Sequence, residues 1–124
     1  MQGYSAKIVD TSREISAKEK IQLKDTTGAI KLDEVLEQGP LTIKPDMYAV
    51  LAIHNEKSDN VDYENYLVKD VDGNTYVTGS ESFFSSFRDI FDDMLGEDEE
   101  WAIKIYKMDS KNYKGKQFIT CSIV

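Results

Sequence analysis

Trp101-Ala-Ile-Lys-Ile-Tyr-Lys-Met-Asp-Ser-Lys-Asn-Tyr-Lys-Gly-Lys-Gln-Phe-Ile-Thr-Cys-Ser-Ile-Val124 is the stretch on which the fold turns. Trp101, Ile103 and Ile105 alternate with Ala102, Lys104 and Tyr106. Ile119, Cys121 and Ile123 alternate with Phe118, Thr120 and Ser122. Period-two alternation of this length predicts two half-buried strands. The residues from Lys107 to Lys116 contain Ser, Asn and Gly, the chemistry of a connecting loop. Five lysines against one acid, Asp109, give this hairpin a net charge of +4, whereas the whole chain stands at -8. A cationic, aromatic-bearing hairpin on an acidic protein needs a physical reason.

The remaining charge is segregated as sharply. Residues 81–100 hold eight acids and one arginine, and residues 1–80 are also net negative. An acidic balance argues against non-specific binding to duplex DNA, because attraction to a polyphosphate scales with the cations presented to it. It leaves room for one cationic face. With 124 residues the chain suffices for one domain and one core. The longest mostly apolar run, Met47 to Ile53, is too short to cross a bilayer. No basic stretch followed by an apolar one opens the sequence, so no secretory signal is expected. Cys121 is the only cysteine, which excludes an internal disulfide and suits a reducing, cytoplasmic setting.

Upstream, Tyr4 to Asp10 reads as a short strand. Ser16 followed by Glu19 matches a capping box and favours a short helix, although Lys20-Ile-Gln-Leu-Lys24 also suits a strand. Ile30 to Glu37 is open between helix and strand, and Gln38-Gly-Pro40 ends it. Leu41 to Asn55 reads as one long strand with a bulge around Lys44-Pro-Asp46. Leu51 and Ile53 face one side of it, Tyr48 and Val50 the other. Tyr63 to Val71 is a second strand, Asp72-Gly73 a primed-type turn, and Asn74 to Thr78 the returning strand. Ser80 or Ser82 then caps a helix whose Phe83, Phe84, Phe87, Ile90, Phe91, Met94 and Leu95 fall at helical spacing, with Gly96 as its stop.

Residues 41–124 therefore read strand, strand, strand, helix, strand, strand. The expected fold is mainly β with one or two helices: a five-stranded barrel of the oligonucleotide/oligosaccharide-binding (OB) type, with the helix between its third and fourth strands. The whole of 1–124 is one domain, with 1–40 an N-terminal extension packed on the barrel.

Ligands of such barrels cross the second and third strands and are gripped by the one-two and four-five loops. Single strands bind there by stacking on aromatic rings while cations track the backbone. Candidates fall where that geometry needs them. Lys111, Tyr113, Lys114 and Lys116 are in the four-five loop. Lys104, Tyr106 and Phe118 point off the core face of its strands. Tyr63, Tyr66 and Tyr76 belong to strands two and three, and His54 and Lys57 to the one-two loop. Plainer roles stand beside these. A lysine-rich hairpin is ordinarily a solvated turn that discourages edge pairing, and strand tyrosines are ordinarily cross-strand partners.

Catalytic and metal signals are weak. His54 is the only histidine, and no nucleophile turn accompanies it. Asp70-Val-Asp-Gly-Asn74 has its glycine too early for a calcium loop and lacks the closing glutamate. Asp92-Asp93 and Glu97 to Glu100 read as solvated charge. No phosphate-binding glycine loop occurs, and nothing cationic is placed to activate Cys121. Neither an enzyme nor a bound cofactor is expected.

The motifs Asp72-Gly-Asn-Thr-Tyr76, Glu81-Ser-Phe-Phe-Ser-Ser-Phe-Arg-Asp-Ile-Phe91, Trp101-Ala-Ile-Lys-Ile-Tyr106 and Asn112-Tyr-Lys-Gly-Lys-Gln-Phe118 together resemble the small single-stranded DNA-binding proteins of bacteriophages and conjugative elements of Gram-positive bacteria. The resemblance spans roughly residues 41–124 and is one of pattern. It implies an OB barrel that coats single-stranded DNA, RNA not being distinguished, during replication or transfer. It also implies no cofactor, self-association, replication or transfer proteins as partners, and Tyr113, Lys114, Lys116 and Phe118 as contacts. Many such proteins end in an acidic recruiting tail, whereas Ile119 to Val124 is apolar, so recruitment by a tail is not carried over. The rival expectations are an acidic interaction or inhibitor protein of a mobile element, such as a DNA mimic, and a virion or plasmid structural protein.

Overall fold

The computed structural model describes residues 3–110 and 115–124. Eight strands and three helices form among them. In chain order they are β1 (Tyr4–Thr11), α1 (Ala17–Lys24), β2 (Ile30–Lys31), α2 (Leu32–Val35) running into a 3-10 turn (Leu36–Gln38), β3 (Leu41–Ile43), β4 (Pro45–Asn55), β5 (Asp62–Asp70), β6 (Thr75–Thr78), α3 (Glu81–Met94), β7 (Ile103–Asp109) and β8 (Gln117–Ile123). The protein is thus mainly β, with three helices rather than one or two. None of these helices is long and apolar enough to cross a membrane.

The strands form a five-stranded sheet, β1-β4-β5-β6-β2, and a three-stranded sheet, β3-β7-β8. The expected long strand from Leu41 to Asn55 breaks at Lys44. Pro45 has no N–H to give to a ladder, and the pairing of β4 with β5 shifts between Pro45 and Met47. Upstream of the break β3 pairs with β7, Leu41 opposite Ile105. Downstream β4 pairs with β5, Tyr48 opposite Val68. One stretch of chain therefore carries the pairing from one sheet into the other, as strands do at the corners of orthogonal packings.

No closed barrel forms among the described residues, which corrects the expected five-stranded cylinder. The edges that would have to meet are otherwise engaged. β2 pairs in parallel with β6, Ile30 opposite Tyr76. On β8, the Ser82 hydroxyl at the start of α3 donates to the Ile119 carbonyl at 2.9 Å. The helix thus seals β8 where a strand would otherwise add.

α3 forms where its phenylalanine spacing places it. Ser80 caps it, the side-chain oxygen accepting from the Phe83 N–H at 3.2 Å. Gly96, at φ 87, takes the left-handed conformation that lets the chain turn away. Phe83, Phe84, Phe87 and Phe91 are all buried. They meet Tyr48, Val50, Tyr66, Val68 and Tyr76 from the larger sheet and Ile43, Ile103, Ile105, Ile119 and Cys121 from the smaller. Each large side chain so buried contributes about 1.5–3 kcal/mol. Leu95 lies past the helix end and is exposed, outside the expected apolar face.

The centre of the larger sheet is buried on both sides. Tyr48 and Val50 face α3, while Met47, Ala49, Leu51 and Ile53 form a second cluster with Leu67 and Val77. Leu23 of α1 covers that second cluster, helped by Ala6, Ile8, Ile15 and Ala29. Residues 1–40 are therefore more than a packed extension, since they supply two strands of the sheet and the cover of its second face. The Ser16 cap is as expected, its side chain accepting from the Glu19 N–H at 3.2 Å. The turn at Asp72-Gly73 differs from the primed type. Only Gly73 there has positive φ, and Asp70 N–H donates to the Asn74 carbonyl across a three-residue loop.

Candidate nucleic-acid interface

The β7–β8 hairpin divides its side chains cleanly. Ile103, Ile105, Ile119 and Cys121 turn into the core. On the other face the register sets Lys104 opposite Ser122, Tyr106 opposite Thr120, and Met108 opposite Phe118. The Tyr106 hydroxyl lies 2.8 Å from the Ser122 hydroxyl, which holds the ring against the sheet. The Lys104 ammonium stands 6.0 Å from the Tyr106 ring centroid, at the outer reach of a cation–π contact. Met108 is 43% exposed and Phe118 37%. Large apolar groups opposite each other at that exposure form a surface suited to a flat partner. Lys116 is exposed just before β8. Lys107 differs, being half-buried with its ammonium donating to the Asp33 carbonyl at 3.5 Å. Met108 was not among the candidates. The period-two spacing from Lys104 and Tyr106 is the signal that finds it.

The other candidates are distributed differently. Tyr66 and Tyr76 are buried, so neither offers a ring to a base without opening the core. The alternation of β5 and β6 turns them, with Val68, toward α3. Tyr66 lies flat on Phe84, centroids 4.4 Å apart and planes 9° from parallel. The Tyr76 hydroxyl donates to Asp70 Oδ2 at 3.2 Å. Burial raises the pKa of both phenols. Tyr63 is half-buried, opposite Ile53 and packed on the second cluster. Lys111, Tyr113 and Lys114 lie outside the described residues. Strands two and three of the expected barrel correspond to β5 and β6. One face of them is core, and the other carries Leu67 and Val77 in the cluster that Leu23 closes. Of the strand residues in the expected site, those of the hairpin are thus the ones that reach the surface most fully.

His54 is engaged by carboxylates, its Nδ1 2.8 Å from Asp62 Oδ1 and its Nε2 3.6 Å from Glu56. The hydrogen bond to Asp62 raises its pKa, with Glu56 adding to the effect. Lys57 lies exposed in the turn that follows. Asp70 is buried and accepts from the N–H groups of Asp72 and Asn74, the Asn74 side chain and the Tyr76 hydroxyl. That set organises a turn and leaves the carboxylate satisfied. Among the described residues no group of three His, Cys, Asp or Glu side chains could hold a metal ion. Burial pushes the Cys121 thiol up to about 11, away from the reactive thiolate.

The acids of residues 81–100 are all exposed. Arg88, the one cation among them, is drawn to Asp10 at 2.9 Å and Asp92 at 3.7 Å, its guanidinium 5.5 Å from the Tyr48 ring centroid. One surface is therefore strongly anionic, and the hairpin face with Lys104 and Lys116 is not. No protein-family model, curated protein or solved structure matches this chain.

Proposed function

We propose that this protein is non-catalytic and binds unpaired nucleic-acid strands, single-stranded DNA first, across the outer face of the β7–β8 hairpin. The observation that carries this is that Lys104, Met108 and Phe118 are exposed, with Tyr106 half-buried between them, on one face of that hairpin. Bases stack on Tyr106 and Phe118 at about 1–3 kcal/mol each, and the Lys104 and Lys116 ammoniums lie against phosphates. The anionic surface of residues 81–100 repels the strand elsewhere and confines it to the hairpin.

The strand order supports a finer assignment. With β1 (beside β4) and β2 (beside β6) set apart and Leu41 to Asn55 counted as one bent strand, neighbours run β6-β5-β4/β3-β7-β8, the order of an OB barrel opened between its third and fifth strands. Such barrels are commonly only partly closed. The process served is then the coating of single strands in phage or plasmid replication or transfer.

The test is titration with oligo-dT at two salt concentrations, followed by tyrosine and Trp101 fluorescence and by gel shift. Quenching with an affinity that falls as salt rises is expected. Absence of both quenching and a shift at low salt would sink the proposal.

The exposed acids of residues 81–100, with Arg88 already paired, favour a second reading. In it the protein is an acidic mimic that occupies the basic cleft of a nucleic-acid enzyme. Capture of such an enzyme, displaced by duplex DNA, together with no binding to oligo-dT, distinguishes it.

A further inference from the structure

A groove of about 700 Å³ runs beside the outer edge of β1, bounded by Ile8, Val9 and Ile15 and by Lys7, Lys20 and Lys24. β1 ends the larger sheet, so its outer edge has no strand partner among the described residues. Val9 sits where the β1–β4 register shifts and is 49% exposed. The three lysines make no ion pair among the described residues. Asp10 and Glu14 also line the groove, but Asp10 is held by Arg88 at 2.9 Å. Three ammoniums against one remaining carboxylate make it a cationic groove with an apolar wall, on a chain of net charge -8.

The complementary surface lies on the same chain. Leu95 is 63% exposed just past α3. Glu97, Asp98, Glu99 and Glu100 follow it, all exposed and with one ion pair among the described residues, Glu100 to Lys44 at 3.9 Å. We infer that the Leu95–Glu100 segment of a second copy docks in the β1–α1 groove, joining copies head to tail. Leu95 covers the apolar wall, the carboxylates meet Lys7, Lys20 and Lys24, and the segment's backbone can pair with the free edge of β1. Six extended residues reach roughly 20 Å, within the roughly 26 Å of the eight residues of β1. Groove and segment are different surfaces, so the contact is heterologous and repeats from copy to copy, into open chains or closed rings.

Sedimentation velocity on the full chain tests this, across the micromolar range at low and high salt. Concentration-dependent growth in mass at low salt, reversed by high salt, is expected. Lys20→Glu with Lys24→Glu should shift association to concentrations higher by on the order of tenfold or more, because like charges then face each other. Glu97→Lys with Glu99→Lys should do the same. Mixing these two double variants should restore association, since each then offers the other an opposite charge. All four positions are exposed, and unchanged circular dichroism controls for folding. Lys→Gln variants give a milder series should a charge reversal unfold the chain. A monomer under every condition overturns the inference. So does association that survives both variants, or a mixture that fails to recover. Loss of oligo-dT affinity in the lysine variant with no change in mass would assign the groove to nucleic acid and overturn it too.

Discussion

Tyr66 lies flat against Phe84, their centroids 4.4 Å apart and their planes 9° from parallel. The contact joins the centre of β5 to the first turns of α3 and closes the core between the two sheets. A ring committed in this way is structural. Phe84→Ala should cost about 3–5 kcal/mol in urea denaturation. Tyr66→Phe, which keeps the stacked ring, should leave oligo-dT affinity unchanged. A large loss of affinity in Tyr66→Phe would contradict the burial of that side chain.

The hairpin rings should behave in the opposite way. Tyr106→Ala or Phe118→Ala should weaken oligo-dT binding by about 5- to 150-fold, the range that about 1–3 kcal/mol of stacking per base implies. The slope of affinity against salt should not change. Lys104→Gln should act through that slope, lowering it by about 0.7 if the ammonium releases one counterion from a single strand. Fluorescence titration over a salt series separates the two effects.

His54 offers a pH-dependent readout. The Asp62 carboxylate 2.8 Å away raises the imidazole above its ordinary 6.5. A folded value above the unfolded one means that the pair's stabilisation is fully present below pH about 6.5 and disappears as pH rises through the folded value. NMR titration of the single histidine should give the raised value in the native chain, and Asp62→Asn should return it toward 6.5. An unaltered titration in that variant would remove Asp62 as the cause.

Cys121 should resist thiol reagents. Its side chain is buried in the core and its pKa is pushed up to about 11. At neutral pH, labelling should be slow in the native protein and should speed up with denaturant as the core opens. Rapid stoichiometric labelling without denaturant would show a core looser than this packing.

The local signals were legible where one element could be judged alone. Ser16 and Glu19 located α1, the phenylalanine spacing located α3, and alternation located β7 and β8 with Lys104, Tyr106 and Phe118 on the outward face. The tyrosines of β5 and β6 could not be assigned in that way. Alternation says that a strand has two faces, but both faces of β4-β5-β6 are covered in this molecule, one by α3 and the other by Leu23.

By itself the amino-acid order determined α1 and α3 with their caps, the strands β1 and β5 to β8, the separation of basic hairpin from acidic helix, and the side of the hairpin that faces out. All of these depend on neighbours within a few positions. Only the tertiary structure decided that the chain changes sheets at Lys44, that β2 and α3 occupy the edges a closed cylinder would need, and that α3 covers Tyr66 and Tyr76 while residues 1–40 cover the opposite face of the sheet. Those outcomes depend on contacts between segments distant in sequence, such as Ile30 with Tyr76 and Ser82 with Ile119. Hydrophobic burial drives such contacts without regard to direction, so no short stretch of sequence states which edge or face another segment will take.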